Sequence, residues 1–575
     1  MALGNLLRQA TLLRFDSKKS SPILFKNSRL FGVKIFVVFI FLVLASRLVY
    51  VQAVIGSQLQ KRADKQIKSK IENKITRHKI VDRNGKTLAE TVPVSSCFVD
   101  PTLLDNKKQT AKILSRILNL NETMLAKKII SAKGSFLWVK RNLSVDELKQ
   151  LRNLDISGIA LKSELRRNYP LGPLAPHLLG LVGTENHGLS GVEKDFESTL
   201  SRNEEHKKLF SGELIPSGNV QLTIDADIQG IVERELDWGA KKTGSKRGMV
   251  VVQSPSTGEI LAMAAWPPLE LTPDNPPHSK ELRIPPLVDV FEPGSTFKIV
   301  TIAGAIEENI FTSKSHFNGE NGKWKISAIT IHDHEPITRM SFEEILIHSS
   351  NIGTGKVADV LGRDRLYQYA RLFGFGVFPG SGLSGEAKGV LRTPSQWSGV
   401  SKFVVSFGQE MGVTMFQMTG AFSSIANKGV LMEPKIIKAI LSDTGEKLKV
   451  FPPNQVRRVV SEETALKVTK NLVRVVKEGT GVNAQIQWAS DCDVAGKTGT
   501  AQKFDQKNKR YHKDHTVISF CGFFPAHNPR YTIFVVLDEP EGRRFGGLDA
   551  APVFRRIAEQ IHGDQKILVP ESLKS

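Results

Sequence analysis

The sequence predicts a multidomain α+β chain: one N-terminal membrane helix, an irregular basic module, and a C-terminal domain on a mostly antiparallel sheet with helices on both faces. Three observations carry this. An unbroken apolar run, Ile35–Ala45, stands near the N-terminus between Lys34 and Arg47. The texture then shifts from basic and loop-rich before about residue 225 to alternating apolar runs after Gly248. Strand-like runs lie at both ends of this last region with helical sequence between them, so the sheet closes by pairing its first and last strands.

The chain has 575 residues, too many for one hydrophobic core. Its 40% apolar content is that of a globular protein and excludes collagen-like and disordered classes. The net charge of +21, taken alone, suits nucleic acid or an anionic membrane surface. Three cysteines, Cys97, Cys492 and Cys521, are too few for a disulfide scaffold. Their spacing offers no metal site, and small buried hydrophobes are the expected reading.

Taken in order, residues 1–30 are polar and basic. With Lys34 and Arg47 snorkelling to the two interfaces, the segment 31–55 spans a membrane as a retained anchor, since no small-residue cleavage site follows. Seven Lys/Arg precede the run, through Lys34, and eight lie between Lys61 and Lys79, so charge alone does not orient it. A charged, helix-like stretch begins at Gln58. Asn84-Gly85 then predicts a hairpin turn between short strands. Amphipathic helices are expected near 105–152, turns at Tyr169–Gly172 and Gly188–Glu193, and a strand at Val220–Asp225. Ser256-Thr257-Gly258 separates the strands 249–253 and 259–263 of a second hairpin. Three late strands are expected at 493–500, 516–524 and 531–537, and a last helix near 548–561 has one apolar face. Cys492 and Cys521 flank the first two of these strands, which would bring them near one another.

The chain is organised around Phe291–Val300. Pro293 and Gly294 make a turn, and a helix apolar on nearly every side follows, which marks it as buried. Ser295 and Lys298 are three apart and share a helix face. Burial and a helix N-terminus both oppose the charge of Lys298, favouring a neutral amine that takes the proton of Ser295. The bare spacing also fits an N-cap serine beside a snorkelling lysine. Order along the chain decides. Ser-x-Asn occurs at Ser201, Ser217 and Ser349, and Lys-Thr-Gly at Lys242 and Lys497, but only Ser295, Ser349 and Lys497 run in the order Ser-x-x-Lys, Ser-x-Asn, Lys-Thr-Gly, with gaps of 54 and 148 residues. In this set Ser295 attacks a carbonyl and Lys298 accepts its proton. Ser349 relays a proton to the leaving amine, and Asn351 holds the lysine and the substrate amide. Lys497, Thr498, Gly499 and Thr500 form the place for a substrate carboxylate. Backbone N–H groups of Ser295 and Thr500 make the oxyanion hole.

With these motifs the chain resembles the class B penicillin-binding proteins, bitopic peptidoglycan D,D-transpeptidases. The likeness includes Arg77–Gly85, Tyr169–Gly172, Gly191–Glu193, Glu292–Lys298, Lys497–Gln502 and Phe545–Gly547. His78 stands where the family usually has Gly, and Phe545 where it usually has Tyr. The resemblance implies a cytoplasmic tail 1–30, an anchor 31–55, a pedestal of the dimerisation type 56–225 and a transpeptidase domain 226–575 on a five-stranded sheet. It implies no cofactor or metal and no nucleic acid. It places the short tail in the cytoplasm, the anchor in the bacterial inner membrane and the catalytic part outside. The implied partners are stem peptides ending in D-Ala-D-Ala, β-lactams, a polytopic septal glycosyltransferase and other divisome membrane proteins. Glu292-Pro-Gly-Ser295 and Ser349-Ser-Asn351 resemble the septal type.

Other readings compete: an elongation-type transpeptidase, a β-lactamase or penicillin-sensing receptor, and a non-catalytic scaffold. A β-lactamase needs a deacylating glutamate motif, and none is clear. A receptor usually carries several spans. A scaffold has no need of an intact Ser295, Lys298, Ser349, Asn351 and Lys497.

Overall fold

The computed structural model describes residues 27–50 and 76–568, apart from 155, 184–185, 203–208, 211–212, 270–280, 313, 328, 488, 490–491, 506–507 and 509. The chain divides into two compact units, 1–73 and 74–575. In the first, Asn27–Val49 is helical. Its 18-residue segment Gly32–Val49 is apolar enough to cross a membrane and rises about 27 Å at 1.5 Å per residue. Its large apolar side chains are exposed, Phe41 at 69%, as in a helix solvated by lipid. Residues 51–55 of the expected anchor, and the charged stretch from 58 to 75, lie outside the described residues.

The second unit begins with the Asn84-Gly85 turn, which joins Ile80–Val81 to Thr87–Val99 as an antiparallel pair. Asp82 fixes the turn, its Oδ1 accepting from the N–H groups of Asn84 and Lys86 at 2.8 Å each. Thr87–Val99 also pairs with Leu137–Lys140 and Ile159–Asn168. Cys97 and Val99 point from this sheet into a core with Leu114, Leu118 and Ile129 of the helices Lys107–Leu118 and Glu122–Ser131. A third helix, Val145–Arg152, starts with a capping box between Ser144 and Glu147. This region is therefore more regular than the expected irregular module.

A seven-stranded sheet crosses residue 225. Its order is Lys447–Val450, Ile437–Leu441, Asn219–Leu222, Ile80–Val81, Thr87–Val99 and Leu137–Lys140, with Ile159–Asn168 also on Thr87–Val99. Strands from far downstream thus pair with strands from the N-terminal half: Ile440 stands opposite Val220, and Ile80 opposite Val220 on its other side.

The expected five-stranded sheet has the order Ala495–Asp505, Arg510–Phe524, Tyr531–Asp538, Arg247–Gln253, Ile260–Trp266, every neighbour antiparallel. Its first strand pairs with its last, Val250 opposite Val535. Alternate residues face two cores. Val250, Val252, Ile533 and Val535 pack under helices Ala226–Thr243 and Ala551–Leu568. Val251, Phe534 and Val536 face the other core, with helices Lys298–Glu307 and Met415–Ala426. Every residue of Met415–Ala426 is buried, and Thr414 and Gln417 cap its start. Cys492 and Cys521 form no disulfide bond, nor does Cys97, and all three are buried. In the register Lys497, not Cys492, lies opposite Cys521.

Candidate active site

Ser295 lies in a 3-10 turn, Gly294–Phe297, that runs directly into the buried helix beginning at Lys298. Two glycines let this turn lie on the sheet. Gly294 has a φ of +55°, and a Cβ there would stand 3.0 Å from the Thr500 carbonyl oxygen. A Cβ on Gly499 would meet the Ser519 hydroxyl at 2.3 Å and the Pro293 carbonyl at 3.0 Å. The glycine of Lys-Thr-Gly is thus a contact surface for the nucleophile turn. Thr296 Oγ1 closes the turn by donating to the Pro293 carbonyl at 2.8 Å.

Ser349 occupies the break between the helices Glu344–Ile347 and Asn351–Leu361. Its φ of +57° is left-handed, which costs a non-glycine residue about 1–2 kcal/mol. Asp333 stabilises the break. Its Oδ1 accepts from the N–H groups of Asn351 at 2.5 Å and Ile352 at 3.0 Å, and its Oδ2 from the Ser350 hydroxyl at 2.5 Å. A carboxylate on the first N–H groups of a helix also complements its dipole.

The strained conformation presents both oxygens of Ser349 to two buried lysines. Lys298 Nζ donates to the Ser349 carbonyl at 2.5 Å and to its hydroxyl at 3.3 Å. Lys497 Nζ donates to the same hydroxyl at 2.8 Å and to Thr498 Oγ1 at 3.3 Å. Both lysines are 0% exposed, and neither forms an ion pair among the described residues. Burial lowers the Lys298 amine to about 7, against a small opposing pull from the Asp333 carboxylate. Burial, and then the charge of Lys298, hold Lys497 well below the usual lysine range.

The sequence-predicted residues Lys298, Ser349, Lys497 and Thr498 are therefore joined by direct hydrogen bonds, and Gly294, next to Ser295, lies against Thr500. Two details differ from expectation. The Ser295 hydroxyl makes no hydrogen bond among the described residues, and Lys298 is directed to Ser349 instead. Asn351 touches neither lysine; its Nδ2 donates to the His332 carbonyl at 2.9 Å. Catalytic hydrogen bonds often tighten only when substrate arrives, so the first difference does not exclude the role expected of Lys298.

Sequence reasoning missed Asp333 and Thr480, and gave Gly546 no role beyond the Phe545–Gly547 likeness. The Thr480 hydroxyl lies 2.9 Å from that of Thr498, and the Gly546 N–H donates to Thr500 Oγ1 at 3.3 Å. The one available signal for Asp333 was a polar break, His332–His334, after an alternating strand. At the two departures from the family pattern, His78 does not adopt a left-handed backbone, and Phe545 packs its ring 5.0 Å from that of His334. Among the described residues neither hydrogen-bonds to Ser295, Lys298 or Lys497.

A Ser-x-x-Lys turn seated on the edge strand of an antiparallel sheet, its lysine buried beside a second one, defines a serine acyl-transferase fold. The Penicillin binding protein transpeptidase domain family matches residues 248–559, and the Penicillin-binding Protein dimerisation domain family matches residues 72–213. Stage V sporulation protein D of Bacillus subtilis is 32% identical, over 92% of this chain and 85% of that protein. Peptidoglycan D,D-transpeptidase FtsI of Buchnera aphidicola is 31% identical, over 98% of this chain and 99% of that one. Penicillin binding protein 3 of Mycobacterium tuberculosis, solved with aztreonam, superposes with a TM-score of 0.66 at 28% identity, covering 86% of this chain and 97% of that chain. The chain belongs to the class B, FtsI-type penicillin-binding proteins.

Proposed function

We propose that this protein is a peptidoglycan D,D-transpeptidase that cross-links stem peptides ending in D-Ala-D-Ala through an acyl-enzyme on Ser295, and that β-lactams block it by acylating the same hydroxyl. The observation that carries this reading is the Ser349 hydroxyl shared by two fully buried lysines beneath the Ser295 turn. Ser295 attacks the carbonyl of the penultimate D-Ala as neutral Lys298 takes its proton. Ser349 passes a proton to the departing D-Ala amine. The backbone N–H groups of Ser295 and Thr500 hold the oxyanion. Lys497 starts with its charge disfavoured, and an arriving carboxylate reverses that: the ion pair, with the hydroxyls of Thr498 and Thr500, restores its proton. Gly499 keeps this strand close to the nucleophile turn. The strand is a sheet edge, with one row of backbone groups open to an extended peptide.

Labelling with a fluorescent penicillin, followed by mass mapping of the adduct, tests the assignment. The adduct is expected on Ser295, and Ser295→Ala should fold and lose it. An adduct mapped to Ser349, or retained by Ser295→Ala, contradicts the reading.

The same proposal places residues 31–55 in the inner membrane with the tail 1–30 inside, a pedestal to residue 225, and the transpeptidase domain outside from 226. FtsI-named relatives support a septal role beside a polytopic glycosyltransferase and other divisome proteins. Depletion should then give filaments; cells that round up point to the elongation type. The 32% identity to a sporulation protein favours a second reading, in which the enzyme serves sporulation.

A further inference from the structure

Glu292 stands three residues before Ser295 and lines a cleft of about 990 Å³ together with Ala501, Gln502 and Lys503 of the strand that carries Lys497. Its Oε1 accepts from the Tyr511 hydroxyl at 3.2 Å and from the Glu410 N–H at 3.1 Å. Its Oε2 is buried and has no hydrogen-bond partner. No cation pairs with Glu292 among the described residues. Other acidic groups of the cleft are paired: Asp289 with Arg283 at 2.5 Å, Glu410 with Arg392 at 2.5 Å, and Asp538 with Lys503 at 3.0 Å. Glu292 is the exception, and burial without a counter-ion raises its carboxyl to about 7. A buried polar oxygen left without a donor is costly, and a carboxyl gains most from an amine or ammonium N–H.

The transpeptidase reading, on which this inference rests, needs two peptides. One acylates Ser295, and the second brings a primary amine. We infer that the cleft receives this second, amine-bearing peptide and that Glu292 Oε2 accepts a hydrogen bond from its amino group, orienting it toward the acyl-enzyme. The amine nitrogen bonds to the acyl carbon, the bond from that carbon to Ser295 Oγ breaks, the amine loses one proton, and Oγ regains one. Glu292 is a positioning residue in this step, since the chemistry of acylation does not use it.

The test compares wild type with Glu292→Gln, which keeps the oxygen that Tyr511 and Glu410 bond. A D-alanyl thioester serves as acyl donor and D-alanine as amine acceptor. Acylation by the thioester and by penicillin is expected at the wild-type rate. The ratio of aminolysis to hydrolysis with D-alanine should fall about ten- to a hundredfold, the loss of a hydrogen bond to a charged group, with the KM for D-alanine raised. An unchanged aminolysis ratio with normal acylation overturns the inference, as does an equal fall in acylation and aminolysis, which would make Glu292 a support of the nucleophile turn. Failure of wild type to be acylated at all overturns the transpeptidase reading itself.

Discussion

Two parts of this molecule bury charged side chains completely and treat them in opposite ways. In the pedestal, Arg77 and Glu193 have fully buried side chains held 2.8 Å apart. Arg77 also reaches Glu197 at 2.6 Å, and Arg167 reaches Glu193 at 2.7 Å. Each cation meets a carboxylate, and backbone carbonyls of Asn186 and Glu193 accept the remaining Arg77 N–H groups. In the active site Lys298 and Lys497 are buried just as completely, but they meet hydroxyls and carbonyls. Desolvation is compensated in the first case and displaces the proton in the second. Paired burial makes a structural joint, and unpaired burial prepares a lysine for the role of base proposed for Lys298.

The pedestal joint should show the larger effect on stability. Glu193→Gln leaves the buried guanidinium groups of Arg77 and Arg167 short of a counter-charge, and should lower unfolding stability by about 3–5 kcal/mol. The protein that remains folded should still bind penicillin at Ser295. Denaturant titration and labelling of the same sample separate the two. A fall in labelling without any loss of stability would erase the distinction between the regions.

The active-site lysine should show the reverse pattern. Lys298→Arg keeps a cation that cannot give up its proton. Acylation should slow by about 10² or more, the lower range for a positioned base. Acylation at the wild-type rate would assign the base to another group.

The contrast also explains what could be read before folding. Ser295, Lys298, Ser349 and Lys497 were legible because the chemistry fixes their types and order, and Ser295 and Lys298 lie within one turn. The five-stranded sheet was legible from alternation and from the turn signal Ser256–Gly258, as the pedestal hairpin was from Asn84-Gly85. Asp333 was not, because it reaches the Ser350 cap from a separate loop with no sequence spacing to reveal it. Nor was the seven-stranded sheet, whose pairing of Ile440 with Val220 joins residues far apart in the chain. Asn351 was expected to hold the lysine, but its type alone could not tell a lysine contact from the His332 carbonyl it meets. The suggested approach of Cys492 and Cys521 failed because the strands align Cys521 with Lys497.

We propose that Lys298 works as a neutral amine, since burial lowers its pKa to about 7. The pH dependence of the acylation rate measures this most directly. Below about 7 Lys298 is protonated and cannot accept the Ser295 proton, so the rate should fall tenfold per pH unit; above it the rate should level. A rate still climbing toward pH 10, the range of an ordinary lysine, or one with no step between pH 5 and 9, would contradict it.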